Sequence, residues 1–136
     1  MSHRWLGFWL CGLVVLLMSG CSDTTKNLGD GYVLVLEGGG SDHIHKEGST
    51  LSGVPYGVTR YDYDDDFIIV KQNPREFDDV IDPREFDYKH GRDTSYFWVI
   101  SKANSGLWGP LDEREFIACR KRLGIPDELV LASAYE

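Results

Sequence analysis

Tyr96-Phe97-Trp98-Val99-Ile100 places aromatic and β-branched residues at five consecutive positions. Successive side chains of a strand point to opposite faces, so this run is apolar on both. Such a strand is central and buried, because neither face is suited to water. Phe67-Ile68-Ile69-Val70 repeats the pattern. It follows Asp64-Asp65, a turn pair whose carboxylates bond their own backbone.

Working outward, Tyr32-Val33-Leu34-Val35-Leu36 is long enough for a third strand. Gly38-Gly39-Gly40 ends it, and His43-Ile44-His45-Lys46 alternates polar and apolar, so the two predict a hairpin. Val54 to Tyr63 reads as a strand broken or bent near Pro55 and Gly57. Ala103-Asn104-Ser105-Gly106 is a turn, with Leu107-Trp108 returning as a short strand. A helix then opens at Asp112. Glu115 three residues later completes a capping box, and Leu111 is placed to staple onto Phe116. Glu113 and Glu115 suit the positive end of the helix dipole, and Arg120, Lys121 and Arg122 the negative end. Phe116, Cys119 and Leu123 form one apolar stripe, while Gly124 and Pro126 end the element. Leu129 to Leu131 adds a last packed segment. The predicted class is α+β: a small antiparallel β-meander of about four to six strands, with one C-terminal helix packed on the sheet.

The first residues carry one formal positive charge, Arg4, followed by an apolar run from Trp5 to Leu17. That run is shorter than the roughly 20 residues a membrane-spanning helix needs. Small residues, Ser19 and Gly20, precede Cys21. This is the layout of a secretory leader, and Met18-Ser19-Gly20-Cys21 resembles the lipobox of bacterial lipoproteins. There the thiol is acylated, typically with palmitate among its chains, and the peptide is cut just before it. The resemblance implies cleavage after Gly20, lipid on Cys21, and a place outside the cytoplasm on the cell membrane or outer membrane. An ordinary signal peptide or an N-terminal anchor is the competing reading. The expected organisation is a leader over 1–20, a flexible tether over 21–30, and one β-rich domain over 31–136 with a long loop at 73–95.

The chain has 14 basic and 22 acidic residues, a formal charge of −8. Loss of Arg4 with the leader makes the mature chain one unit more negative. Acidity of this size argues against a nucleic-acid partner. Of three cysteines, Cys11 leaves with the leader and Cys21 takes lipid. Cys119 is then alone, without a disulfide partner, and is expected in the core.

His43 and His45 share a strand face and begin a metal site only if His90 or an aspartate completes it; exposed polar histidines are the plainer reading. Asp62, Asp64 and Asp66 imitate the start of a calcium loop. The sixth position is Phe67 and the twelfth Asn73, where glycine and glutamate are required. The triple glycine lacks the Gly-Lys-Ser/Thr of a phosphate loop. No cofactor is expected. The long loop holds a duplication, Pro74-Arg75-Glu76-Phe77-Asp78 and Pro83-Arg84-Glu85-Phe86-Asp87. It reads as a tolerated insertion, or as a paired contact surface with Phe77 and Phe86 as anchors and Arg75 and Arg84 as polar grips.

Tyr61-Asp62-Tyr63-Asp64-Asp65-Asp66-Phe67-Ile68-Ile69-Val70-Lys71-Gln72, the Tyr96–Ile100 run, Gly109-Pro110-Leu111, Glu115-Phe116 and Leu123-Gly124-Ile125-Pro126 together resemble a family of small bacterial lipoproteins of unknown function. The likeness covers roughly residues 30–131 and implies a lipid-anchored β-rich domain, with no activity to carry over. A monomeric binding or structural module of the envelope, meeting an unidentified envelope protein, is the expected role. An inhibitor or immunity-type lipoprotein falls in the same class. An envelope hydrolase is the alternative, although the serines, histidines and acids form no recognisable motif. The chain is therefore not expected to be an enzyme.

Overall fold

A computed structural model describes residues 24–74 and 82–135. Nine strands and one helix follow in the order β1 (Thr24–Gly29), β2 (Tyr32–Leu36), β3 (His43–Lys46), β4 (Ser49–Val54), β5 (Val58–Tyr63), β6 (Phe67–Gln72), β7 (Tyr96–Ser101), β8 (Gly106–Leu111), α1 (Glu113–Leu123) and β9 (Ala132–Ser133). They make two antiparallel sheets, β1-β2-β3-β4 and β8-β7-β6-β5-β9.

The two apolar runs explain the layering. Ile68, Val70, Trp98 and Ile100 point to one face of the five-stranded sheet and pack against Leu28, Tyr32, Leu34, Ile44 and Val54 of the four-stranded sheet. Ile69 and Val99 point to the other face and meet Phe116, Cys119, Ile125 and Leu129 of the helical layer. One strand pair thus serves two cores, which is why both its faces are apolar from Ile68 to Val70 and from Trp98 to Ile100.

The α+β class and the helix on the sheet agree with the sequence. The strand count does not: the described residues hold nine strands in two sheets, against four to six in one meander. Two segments account for most of the difference. Residues 24–29, expected in the tether, are an edge strand paired with β2 in the register Thr24↔Leu36 to Gly29↔Tyr32. Its sequence, Thr-Thr-Lys-Asn-Leu-Gly, offers only Leu28 to the core, and that residue is fully buried. Backbone pairing, rather than a hydrophobic pattern, holds the rest. Residues 49–63, expected only from Val54 and as a strand broken or bent near Pro55 and Gly57, break at Pro55-Tyr56-Gly57 and send β4 and β5 to different sheets.

Two polar ties hold the sheets together, one at each end. At one end the Asp42 carbonyl accepts from the Gly57 and Val58 amides. Its carboxylate accepts from the Glu37 and Gly38 amides at 2.8 and 2.9 Å and from the Tyr135 hydroxyl at 2.5 Å. At the other end Lys102, only 6% exposed, donates its ammonium to the Leu28 and Asp64 carbonyls. Asp64 forms the expected turn, with its carboxylate accepting from the Asp66 and Phe67 amides.

The helix follows its sequence signals closely. Asp112 accepts from the Glu115 amide at 2.8 Å, Glu115 returns the bond to the Asp112 amide, and Gly124 closes the helix in the left-handed region at φ 67°. Phe116 and Cys119 are its buried residues. Burial pushes the Cys119 thiol above its ordinary pKa, the unreactive state expected for a lone core cysteine, although nearby Arg122 pulls the other way.

Candidate functional site

A cleft of about 300 Å³ opens where β3, the β4–β5 junction and residues 82–84 meet. Its position follows from a break in the strand pairing. Gly53 has φ +108°, and a Cβ there would lie 2.0 Å from the Ile44 carbonyl oxygen, so only glycine lets β4 approach β3 this closely. The register shifts beside it, between His45 and Lys46. The irregular pairing turns the strand edge into a concave wall.

His43 and His45 stand on that wall with ring centroids 5.8 Å apart. The His43 ring also packs on Tyr56 at 4.6 Å. Its Nδ1 lies 3.1 Å from the Ser41 carbonyl, which can only accept, so Nδ1 carries the proton of this bond. Ser49 and Ser52 also line the cleft and pair their hydroxyls at 3.0 Å.

The opposite wall is the described end of the long loop. Arg84 forks onto the Asp82 carboxylate, with Nη2 donating at 2.6 Å and Nε at 3.0 and 3.2 Å. Arg84 Nη1 donates to the Gly53 carbonyl at 3.0 Å, joining the loop to the bulged strand. Burial alone would raise the Asp82 carboxyl, but the hydrogen bonds and charge of Arg84 prevail and hold it below the usual value. The guanidinium lies over the Phe86 ring, and Phe86 meets Trp98 edge-on at 4.9 Å. Phe86 and Arg84, read from the sequence either as contact residues or as part of a tolerated duplication, are held against the domain: Phe86 extends the core and Arg84 braces the cleft. Arg75 and Phe77, the matching pair of the first repeat, lie outside the described residues, as does Cys21.

His90 does not join His43 and His45. It sits by the helix start, its Nε2 3.6 Å from Asp112. Among the described residues no group of three His, Cys, Asp or Glu side chains is arranged to hold a metal ion. Likewise, no described helix is long and apolar enough to cross a membrane.

A larger, shallower groove of about 790 Å³ runs beside α1 over the stacked Phe97 and Phe116 rings, with Arg120 and Lys121 on its rim. The cleft is the better site, because a few convergent polar groups on a partly apolar floor are what fixes a ligand's orientation.

Comparison with known families gives one match: a profile described as "Protein of unknown function (DUF3997)" covers residues 30–135. The chain belongs to this family. No curated protein and no solved structure matches it. For the DUF3997 chain, site chemistry must therefore be read from its own residues.

Three residues essential to the site's architecture escaped the sequence reading. Gln72 is fully buried; its Oε1 accepts from the Trp98 indole at 2.6 Å, and its Nε2 donates to the Tyr56 carbonyl at 2.8 Å and to the Tyr88 hydroxyl at 3.2 Å. It thereby fixes the backbone of the residue whose ring covers His43. Gly53 and Tyr56 are the other two. Glycine next to Val54 in a strand-like segment is the one signal that pointed to a close backbone approach.

Proposed function

We propose that this protein is a lipid-anchored binding module displayed on the outer side of a cell-envelope membrane, with the cleft between β3 and residues 82–84 as its contact site. The cleft is the observation that carries the reading. Two sheet-borne imidazoles and a tyrosine ring form one wall, and an arginine–aspartate fork tied to the sheet forms the other. All of these groups are held by contacts within the domain, so little side-chain freedom is lost on binding. The anchor rests on the Met18-Ser19-Gly20-Cys21 segment.

A non-catalytic role is favoured because the Ser52 hydroxyl pairs with the Ser49 hydroxyl, a contact that does not activate it as a nucleophile. The competing reading, an envelope hydrolase, draws on the presence of histidine, serine and aspartate around one concavity.

The test is affinity capture from envelope extract with lipidated wild type and with a His43→Ala/His45→Ala variant of unchanged thermal midpoint. A partner held by wild type and lost by the variant supports the reading. Identical partner sets from both would sink it. Hydrolysis of an ester or peptide substrate that Ser52→Ala abolishes would favour the enzyme instead.

A further inference from the structure

We infer that the domain stands on the bilayer in one orientation, with the glycine turn between β2 and β3 and the ring of Tyr135 against the lipid headgroups, and the acidic turns held away. This rests on the reading of Cys21 as the lipidated residue. It goes further because the anchor alone sets no orientation: a ten-residue tether would let the domain tumble.

The described structure removes most of that tether. Strand pairing begins at Thr24, opposite Leu36. Only Ser22 and Asp23 separate it from Cys21. Three residues of fully extended chain reach at most about 11 Å. The Thr24 end of the sandwich is therefore held within that distance of the lipid attachment.

The register shows what shares that end. Thr24 faces Leu36, Val35 faces His43, and Ile44 faces Val54. The turn from Glu37 to Asp42 lies between them. Gly38 and Gly39 have positive φ and no heavy atom within 4 Å of where a Cβ would stand, so the turn presents bare backbone to its surroundings. Tyr135 joins this end through its hydroxyl bond to Asp42, yet 66% of the residue is exposed. A tyrosine with a wet ring and a tethered hydroxyl suits the headgroup region, where amphipathic rings concentrate.

Asp30, Glu47, Asp64, Asp65 and Asp66 all lie in turns at the far end of the strands, beyond Gly29, Lys46 and Tyr63. The orientation set by Cys21 places them about a strand's length, roughly 17 Å, further out. The near end is acidic too, with Glu37 and Asp42 in the turn itself and Asp82, Glu85, Asp87 and Asp93 against Arg84, Lys89 and Arg92 in the described part of the long loop, so the short connection to Cys21, not charge, sets the orientation.

The full lipidated protein is reconstituted in vesicles of phosphatidylethanolamine and phosphatidylglycerol carrying nitroxide on the headgroup. Glu37→Cys and Asp65→Cys variants bear a fluorophore; the native thiols do not compete, since Cys21 is acylated and Cys119 is buried. Quenching at residue 37 should exceed that at residue 65 by at least about threefold, given the roughly 17 Å between the ends. Inserting ten Gly/Ser residues between Asp23 and Thr24 should bring the two within a factor of about 1.5, as a flexible linker loses orientation. Equal quenching in the uninserted, acylated protein would overturn the orientation while leaving the anchor intact. An unmodified Cys21 by mass, with no flotation on vesicles, would overturn the anchor and the orientation with it.

Discussion

Replacing Gln72 by leucine isolates the polar centre of the core. The change keeps the volume nearly constant and removes an acceptor and a donor at a fully buried position. The Trp98 indole N–H loses its acceptor at 2.6 Å, and the Tyr56 carbonyl and Tyr88 hydroxyl lose the Nε2 donor at 2.8 and 3.2 Å. Removing a hydrogen-bond partner from a buried polar group costs about 1–3 kcal/mol, so two such losses cost about 2–6 kcal/mol, offset by about 1 kcal/mol from the more apolar leucine. A net loss of about 3 kcal/mol is a large share of the roughly 5–15 kcal/mol by which a domain is stable. Urea unfolding followed by tryptophan fluorescence reads it directly. With an m value of about 1.5 kcal/mol/M, the midpoint falls by about 2 M. Trp98→Phe alone and Gln72→Leu/Trp98→Phe complete a double-mutant cycle, in which a coupling of about 1–2 kcal/mol is expected because the double variant leaves no indole unpaired. A Gln72→Leu loss below about 0.5 kcal/mol, or a cycle that is simply additive, would refute the claim that this side chain is a satisfied core network rather than an incidental polar residue.

Four further outcomes follow from the same structure. Gly109→Ala places a Cβ 2.3 Å from the Trp98 ring at φ +152°, and should lower stability by at least about 2 kcal/mol in a thermal melt, since overpacking and backbone strain add. Phe86→Ala should lower stability by about 2 kcal/mol by removing the edge contact with Trp98; an unchanged melt would restore Phe86 as an outward contact. Lys102→Met leaves the Leu28 and Asp64 carbonyls without the ammonium that bridges the sheets, and about 2 kcal/mol of destabilisation is expected by urea unfolding. Because the folded-state pKa of Asp82 lies below its unfolded value, its ion pair stabilises the fold fully above about the ordinary carboxylate pKa of 3.8 and is lost as pH falls through the depressed value. Melts of wild type and Asp82→Asn between pH 6 and roughly pH 2 should therefore converge at the acid end.

What the sequence revealed and what it hid have physical causes. Helix α1 was readable to the residue because its signals are local: a cap, a box, a stripe and a terminal glycine all lie within fifteen positions. β6 and β7 were readable as central strands because burial on two faces leaves a continuous apolar run. The number of sheets was not readable. Both cores draw on the same strands, so two layers and three layers give those strands the same pattern. β1 was hidden because an edge strand with one buried side chain has almost no pattern, and its partner is set by register with β2. The cleft was half readable. His43 and His45 on one strand face follow from a period of two. Their neighbours Tyr56, Asp82 and Arg84 arrive through a bulge at Gly53 and a fold-back of the loop, and neither leaves a periodic trace. The repeated Pro-Arg-Glu-Phe-Asp drew attention as a surface feature, and in its second copy the same residues serve packing.

The cleft and the core network are one mechanical unit. Gln72 holds the Tyr56 carbonyl, the Tyr56 ring lies on His43, and His43 is fixed through Ser41 next to the Asp42 hub. From the other side Trp98 carries both the Gln72 bond and the Phe86 contact, and Phe86 underlies Arg84. Both walls of the cleft therefore refer back to a single indole. A ligand that fits the native spacing of those walls binds the folded form alone and raises the unfolding midpoint in proportion to its affinity. Gln72→Leu, which touches no cleft surface, should weaken that ligand as well as the fold, whereas Lys102→Met, at the far end of the strands, should weaken only the fold. If both variants, compared at equal folded fraction, bound a captured partner as wild type does, the walls would be independent of the core, and the cleft would have to be read as a surface accident.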